Sequence, residues 1–546
     1  MTNARELANL VGGTLTNLTS GTDNVALGDE ALEAVTSGAN NVGIGKDAGT
    51  AITTGDGNVA VGYQSLDANT TADNNTAIGI SALGANTTGA GNTAVGQRAL
   101  TANTTADSNV SVGKDSMFAN TTGHSNNALG TSALQNNTTG NFSTGVGHTA
   151  LFANTTGSNT AFGALALKSV TTGGNSVAVG REALEAFTGD ESTAVGYKAG
   201  EALTTGGLVA VGFQAGKSAT TAIGNVLMGE LSGTAITTGN NNTAVGSQAL
   251  STITTSTDNT AIGHDALRYQ TTGSENTAVG SEALDALTVG NGNVAVGVQA
   301  LSTDTVGSRS TAVGATALKL QQATGSTANN YYNVGVGYGA GLDLTTGYYN
   351  TLLGSFAGDT LTTGQNNICI GYLADTGSVS SVSSIAIGNG ITSSSNDFSF
   401  GKPGNVVKND FDTDANWSRS SDERLKTNIT DQTLGLDFIN DLRTVKYNWK
   451  ASHELDSTDS QLAHLYKEDE ADNEMNTEAI MHNFIAQEVK AALDTAGVSD
   501  FSGWSEDQYG VQQVSREMFV IPLIKAVQEL SAKNDALEAR IATLEG

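Results

Sequence analysis

One short phrase constrains this chain more than any other feature. It appears as Asn58-Val59-Ala60-Val61-Gly62, again as Asn92-Thr93-Ala94-Val95-Gly96, and again as Asn276-Thr277-Ala278-Val279-Gly280. Indexed by its glycine, the phrase returns 22 times between Gly28 and Gly388, and of the 21 intervals seventeen are 17 residues, three are 16 and one is 23. A 17-residue unit is too short for a helical hairpin repeat, and its Thr-Thr-Gly punctuation lacks helical periodicity. It suits one coil of a β-solenoid. The expected coil has a strand at Thr93-Ala94-Val95, a turn, a second short strand at Ala99-Leu100, and an Asn-Thr-Thr-Gly-type turn. Coils stacked about 4.8 Å apart would give a rod on the order of 100 Å long.

Four residues before the index glycine stands Asn in 16 copies, Ser in five and Leu208 in one. Stacking would set these amides above one another in a hydrogen-bonded ladder. The glycines would supply positive φ or a close backbone approach. Alternation puts Thr93 and Val95 on one face of the strand and Ala94 and Gly96 on the other, with no charge on either. A coil this small encloses a thin core, so the pattern predicts side-by-side association, one face inside the coil and the other against a partner chain.

Composition bounds the function. With 38% hydrophobic residues the chain is not a disordered one, and a formal charge of -29 excludes a backbone-driven nucleic-acid binder and disfavours anionic membrane surfaces. Cys369 is the single cysteine, so no intrachain disulfide forms and a buried structural thiol is expected. The first residues lack a secretory pattern and no run of about 18 apolar residues occurs, so no membrane insertion is expected. No phosphate loop or zinc motif is present and no cofactor or metal is called for. Residues 1–23 precede the first copy and form a separate N-terminal segment.

The coils, rich in Asn, Ala, Val and Gly, resemble the head repeats of trimeric autotransporter adhesins and comparable repeats in phage tail fibres, which implies a three-chain bundle of left-handed β-rolls. The one long interval, Gly314 to Gly337, must bulge outward, and Tyr331, Tyr332, Tyr338, Tyr348 and Tyr349 lie in or beside it. Tyrosines on a projecting loop suit a glycan or host surface; a tolerated loop insertion is the plainer reading.

Composition changes after residue 400. A linker is expected over 401–420, followed by an α+β domain over 421–546 that holds 24 acidic and 11 basic residues, with Trp449 and Trp504 expected in an aromatic core. The chain closes on a helix whose Val527, Asn534 and Ile541 occupy a positions and Leu530, Leu537 and Leu544 d positions of a coiled-coil seam, with Asn534 fixing register. About three heptads would assist a trimer interface rather than sustain one alone.

Several phrases in this domain resemble the C-terminal intramolecular chaperone of phage endosialidases and tail spikes, a family that releases itself by proteolysis. They are Ser421-Asp422-Glu423-Arg424-Leu425-Lys426, the stretch from Leu436 to Trp449, Phe484-Ile485-Ala486-Gln487-Glu488-Val489, and Ile521 to Leu544. The resemblance implies a serine-lysine dyad, with Ser421 as nucleophile and Lys426 as base or orienting amine, and a chaperone motif that includes Glu423, Arg424, Gln487 and Glu488. A hydroxyl needs a base to become a nucleophile, and a lysine serves as one only when burial lowers its pKa. Residues five apart on a helix point about 140° away from each other, so either the segment is not helical or Lys426 acts from a neighbouring chain. Ser421 before Asp422 and Glu423 also reads as a helix N-cap. The family's cut falls between Ser421 and Asp422, whereas an N-to-O acyl shift would cut before Ser421. His453, His464 and His482 form no metal spacing, and His482 is read as a core or interface residue.

The sequence thus predicts a mostly β protein, a trimeric 17-residue-repeat β-solenoid over 24–400 followed by a small chaperone domain. The implied function is a phage tail fibre that is held to the virion tail or baseplate through residues 1–23, binds a host-surface glycan or protein, is assembled in the host cytoplasm and acts enzymatically only on its own chain. The alternatives are a bacterial surface adhesin and a glycan- or ice-binding solenoid. A depolymerase spike is disfavoured, because the repeat offers no carboxylate pair that can be placed.

Overall fold

A computed structural model describes residues 21–324, 329–411, 414–419, 423–469 and 477–546, with the backbone alone described over 414–419. Two compact units divide the chain, residues 1–420 and 421–546.

The first unit is the β-solenoid. Each copy of the phrase forms one short strand, from Val25–Leu27 to Ile385–Gly388, and consecutive strands pair in parallel. Register is strict: Thr277 faces Val294, Ala278 faces Ala295 and Val279 faces Val296. The middle residue points inward, so that Ala94, Ala244 and Ala278 are fully buried, while its neighbours face out. The alanine face is thus the core, and the Thr/Val face is the outside of the sheet.

The second strand expected at Ala99-Leu100 is absent. Arg98 and Leu100 have φ of +57° and +55°, which breaks an extended run. This tight turn aims both Ala99 and Leu100 into the core. Stacking is still hydrogen-bonded there, since the Leu100 N–H donates to the Ser116 carbonyl at 3.0 Å. Where the turn carries a leucine, as at Leu100, its burial outweighs the cost of a left-handed residue, roughly 1–2 kcal/mol.

The index glycine is required twice over. Gly96 has φ +136°, and a Cβ there would lie 2.6 Å from the carbonyl oxygen of Gly113 in the next coil. Inside, side-chain volumes compensate between positions. Where the inward alanine becomes Leu227, the turns on either side carry Gly216 and Gly233, whose Cβ atoms would each fall 2.7 Å from a Leu227 methyl. Conversely, Gly43 and Gly335 stand where Leu32 and Leu318 fill the space, each 2.7 Å from the site of the missing Cβ. Close packing leaves no room for both large residues.

The expected asparagine ladder is present, with the backbone as its main partner. Asn75 Oδ1 accepts from the Asn92 backbone N–H at 2.9 Å, and Asn92 Nδ2 donates to the Ala106 carbonyl at 2.8 Å. Amide-to-amide bonds add to this, Asn92 Nδ2 to Asn75 Oδ1 at 3.2 Å. A second ladder, which the sequence reading missed, runs along the next corner from Asn69 to Asn154. There Asn86, Asn103 and Asn120 each donate to the amide oxygen one coil back, at 2.9, 2.8 and 3.1 Å. Its signal is Asn-Thr-Thr repeating at the coil period.

Cys369 occupies an inward position and is fully buried. Burial, aided by the charge of Asp375, pushes its thiol up to about 12. The native protein should therefore resist a thiol-reactive dye at pH 8 and titrate one thiol only after denaturation. Rapid native labelling would contradict this burial.

The described residues between 401 and 419 are not a plain linker. Asp397–Lys402 pairs in parallel with the last coil and antiparallel with Asn405–Asp410, which in turn pairs antiparallel with Asp414–Arg419. An antiparallel ribbon therefore finishes the parallel stack.

Candidate functional site

The second unit is built on a phenylalanine core. Leu434, Phe438, Val489, Ala492, Leu493 and Phe519 are buried together, with Phe484, Phe501 and Trp504 packed against them. Helix α1 (Leu436–Asn440) supplies Phe438, and helix α2 (Ala486–Ala496), closed by left-handed Gly497, supplies Val489 and Leu493. Trp449, expected in the core, is largely exposed and meets Tyr447 edge-on.

Ser421 and Asp422 lie outside the described residues, so the predicted nucleophile and cut carry no geometry. Glu423–Leu425 forms one 3-10 turn, closed by the Lys426 N–H donating to the Glu423 carbonyl at 3.0 Å. The segment is therefore not a continuous α-helix. Glu423, Arg424 and Lys426 are exposed.

The two other motif residues sit in the first turn of α2. Arg443 grips the Glu488 carboxylate with two nitrogens, Nε to Oε2 at 3.1 Å and Nη2 to Oε1. That pairing holds the Glu488 carboxyl below the usual carboxylate range and ties the helix start to the strand Thr444–Tyr447. Gln487 is exposed and lines a cleft of about 570 Å³ with Tyr447, Trp449, His464 and Asn483. His464 stacks on Tyr509 at 3.9 Å between centroids. His482 is not in the core of this unit: its side chain is exposed and its carbonyl accepts from Arg516 at 3.4 Å.

Helix α3 (Val520–Glu545) begins on the unit and leaves it. Pro522 and Ala526 are buried, and the Glu529 carboxylate accepts the Leu436 N–H at 2.8 Å, capping α1. From residue 531 onward every residue is exposed. The predicted seam lies along this helix with Val527, Leu530, Leu537, Ile541 and Leu544 between 51% and 79% exposed. Asn534 Nδ2 donates to Glu538 Oε1 at 3.1 Å.

Among the described residues, one group of solenoid carboxylates comes close enough to suggest a metal: Glu182, Glu185 and Glu201. Lys198 already bridges two of them, 2.8 Å from Glu182 and 2.6 Å from Glu201, and Arg181 holds Glu182 at 2.6 Å. These are ion pairs along the rod surface.

Residues 421–498 match the family model described as chaperone of endosialidase. The chain thus joins a β-solenoid to a second unit that is similar, over those residues, to the chaperone of endosialidase. The match ends at Val498, so the terminal helix, which the sequence resemblance included, lies beyond it. No curated protein and no solved structure matches the chain. The likeness of the coils to adhesin heads stands on the repeat alone.

Proposed function

We propose that this protein is a homotrimeric phage tail fibre or spike whose solenoid presents a host-binding surface and whose residues 421–546 align three chains and are then cut away at Ser421. The observation that carries it is the outer face of the solenoid sheet. Each copy places two side chains there, at one and three positions before the index glycine. The nearer one is a large apolar residue in all 22 copies and the other is Val, Thr, Ile or Asn, with no charge in any. Such a strip is about 100 Å long and roughly 7 Å wide, or roughly 700 Å². Of its 44 positions 33 are apolar, or roughly 500 Å², which equals the largest apolar patches on typical monomers (~300–600 Å²) and, with the uncharged Thr positions, approaches the ~800 Å² that each partner buries in a specific interface.

Two features support an aligning role for the second unit. A slip by one coil would pair equally well along the strip, so the repeat cannot set its own register. The free half of α3, fully exposed and only about four turns long, is marginal as an isolated helix and gains most from packing its apolar seam against copies of itself. Cleavage afterwards would remove the template and leave a kinetically trapped rod.

Exposure of Lys426 bears on the chemistry. A lysine base requires burial, so the dyad is assembled only when a neighbouring chain covers it, which favours action in trimers over isolated chains. Denaturing gels and intact mass of wild type beside Ser421→Ala and Lys426→Ala test this. Wild type should yield a rod fragment and a released piece of about 125 residues, and both variants only full-length chain. Wild type that stays intact in assembled trimers would remove the proteolytic reading. Soluble trimers from a chain ending at 421 would remove the chaperone reading.

A further inference from the structure

Five of the chain's 12 tyrosines fall between residues 331 and 349, flanking the one insertion in the repeat. Two of them occupy a position that resists tyrosine. Five residues before the index glycine the backbone is left-handed in every copy but that of Ser158, and most copies place Asn, Asp, Ser or glycine there, as at Asn40, Asn74, Ser108, Asn241 and Asn366; Phe142, Glu191 and Glu275 are isolated exceptions. In three consecutive coils the column instead reads Arg309, Tyr332 and Tyr349, with φ of +61°, +49° and +58°. A bulky residue gains nothing in backbone energy from that conformation, and strain kept at an exposed site points to use.

The three side chains form one surface. Tyr332 and Tyr349 stack at 5.5 Å between centroids, 22° from parallel, and Tyr348 meets Tyr349 edge-on at 5.1 Å. Arg309 Nη1 donates to the Tyr332 hydroxyl at 2.5 Å, with the guanidinium 5.6 Å from the ring centre. All three tyrosines remain 38–51% exposed. Beneath them the backbone is clamped. Tyr331 is buried with Val306 and Ala323, Gly307–Ser308 pairs with Asn329–Asn330, and the Tyr349 N–H donates to the Tyr331 carbonyl at 2.8 Å.

We propose that Arg309, Tyr332, Tyr348 and Tyr349 form a binding platform for a neutral carbohydrate chain, a proposal that gives the host-attachment reading its ligand and rests on it. Rings supply apolar contact to the C–H faces of a sugar, while phenol hydroxyls and a guanidinium supply hydrogen bonds to its hydroxyls. A formal charge of -29 on each chain disfavours a polyanionic glycan. An open surface of exposed rings suits a polymer that lies along it rather than a small molecule that needs enclosure.

The column itself supplies the test. Asparagine is native to this position in other coils, so Tyr332→Asn with Tyr349→Asn should keep or raise the thermal midpoint. Full-length wild type and double variant are compared on an array of glucans, mannans and galactans, and for adsorption to a panel of bacterial cells. The expected result is wild-type binding to at least one neutral polysaccharide, weakened roughly ten-fold or more in the double variant, and adsorption that periodate treatment of the cells abolishes. Equal binding by both proteins, binding confined to acidic glycans, or adsorption lost to protease but not to periodate would each overturn the platform. Cell adsorption that survives in the double variant rejects this site and leaves host attachment standing. Array binding that depends on these tyrosines, with no adsorption to any cell, supports the site and counts against attachment.

Discussion

Replacing Gly246 with valine should fracture the rod at one coil. Gly246 has φ +137°, and a Cβ there would sit 2.3 Å from the Gly263 carbonyl oxygen, with a neighbouring coil on each side to prevent escape. Left-handed strain and backbone collision together should cost at least about 3 kcal/mol. Because each coil touches only its neighbours, the damage should stay local. Hydrogen exchange should report lost protection around the strands Asn225–Met228, Thr243–Val245 and Thr260–Ile262, with distant coils unchanged. Gly174→Ala is the control, since its φ is not in the left-handed region and its nearest neighbour atom lies 3.6 Å from the added Cβ. Exchange that is equally slow in Gly246→Val and wild type would refute the packing argument.

Charge on the outer sheet face should do the opposite, leaving each coil intact while preventing assembly. Ile262 is 39% exposed and Val279 is its counterpart one coil on. Ile262→Lys with Val279→Lys adds no strain to a lone solenoid, because both side chains point outward. In a trimer related by threefold symmetry, each unpaired buried lysine would cost about 3–5 kcal/mol and would face its own copies. Circular dichroism should be unchanged, while light scattering on the eluting protein should show monomer for the variant and, on the proposed assembly, trimer for wild type. A double-lysine trimer would place the chain-to-chain contact on some other face.

How much of this was legible in the sequence depends on which force held each residue. The period and the strand were, because the index glycine has no substitute: its Cβ would strike the next coil's backbone, so every copy keeps it. The turn was not. Leucine seldom adopts positive φ, and only the finished core explains why Leu100, Leu250 and Leu284 do so. The alternation rule paired Val95 with Thr93 correctly but could not say which face was inside; the small Ala94 decides it, because a coil of this girth has room for little more. Compensating pairs such as Leu227 with Gly216 and Gly233 become readable once the coil is drawn.

For the second unit the balance differs. The heptad seam of α3 was plain from spacing, since an exposed helix obeys its own period. Trp449 was misplaced in the core because aromatic character says nothing about which ring the fold turns inward, and the phenylalanines took that role. The Arg443 pairing with Glu488 was hidden by a separation of 45 residues. Lys426 was assigned through a family phrase, and its exposure makes the neighbouring chain part of the question.

The antiparallel ribbon over 397–419 acts as a chain terminator for the stack. A parallel sheet ending in a bare strand is a template on which another rod could grow end to end. By folding back twice, the ribbon presents an edge that a further 17-residue coil cannot copy. Growth is closed at that end, and reach becomes a quantity written in the gene: each whole coil added or deleted changes the rod by about 4.8 Å and leaves the terminus as it was. Length in such a protein can evolve by duplication alone, like the tally of links in a chain whose clasp is never altered.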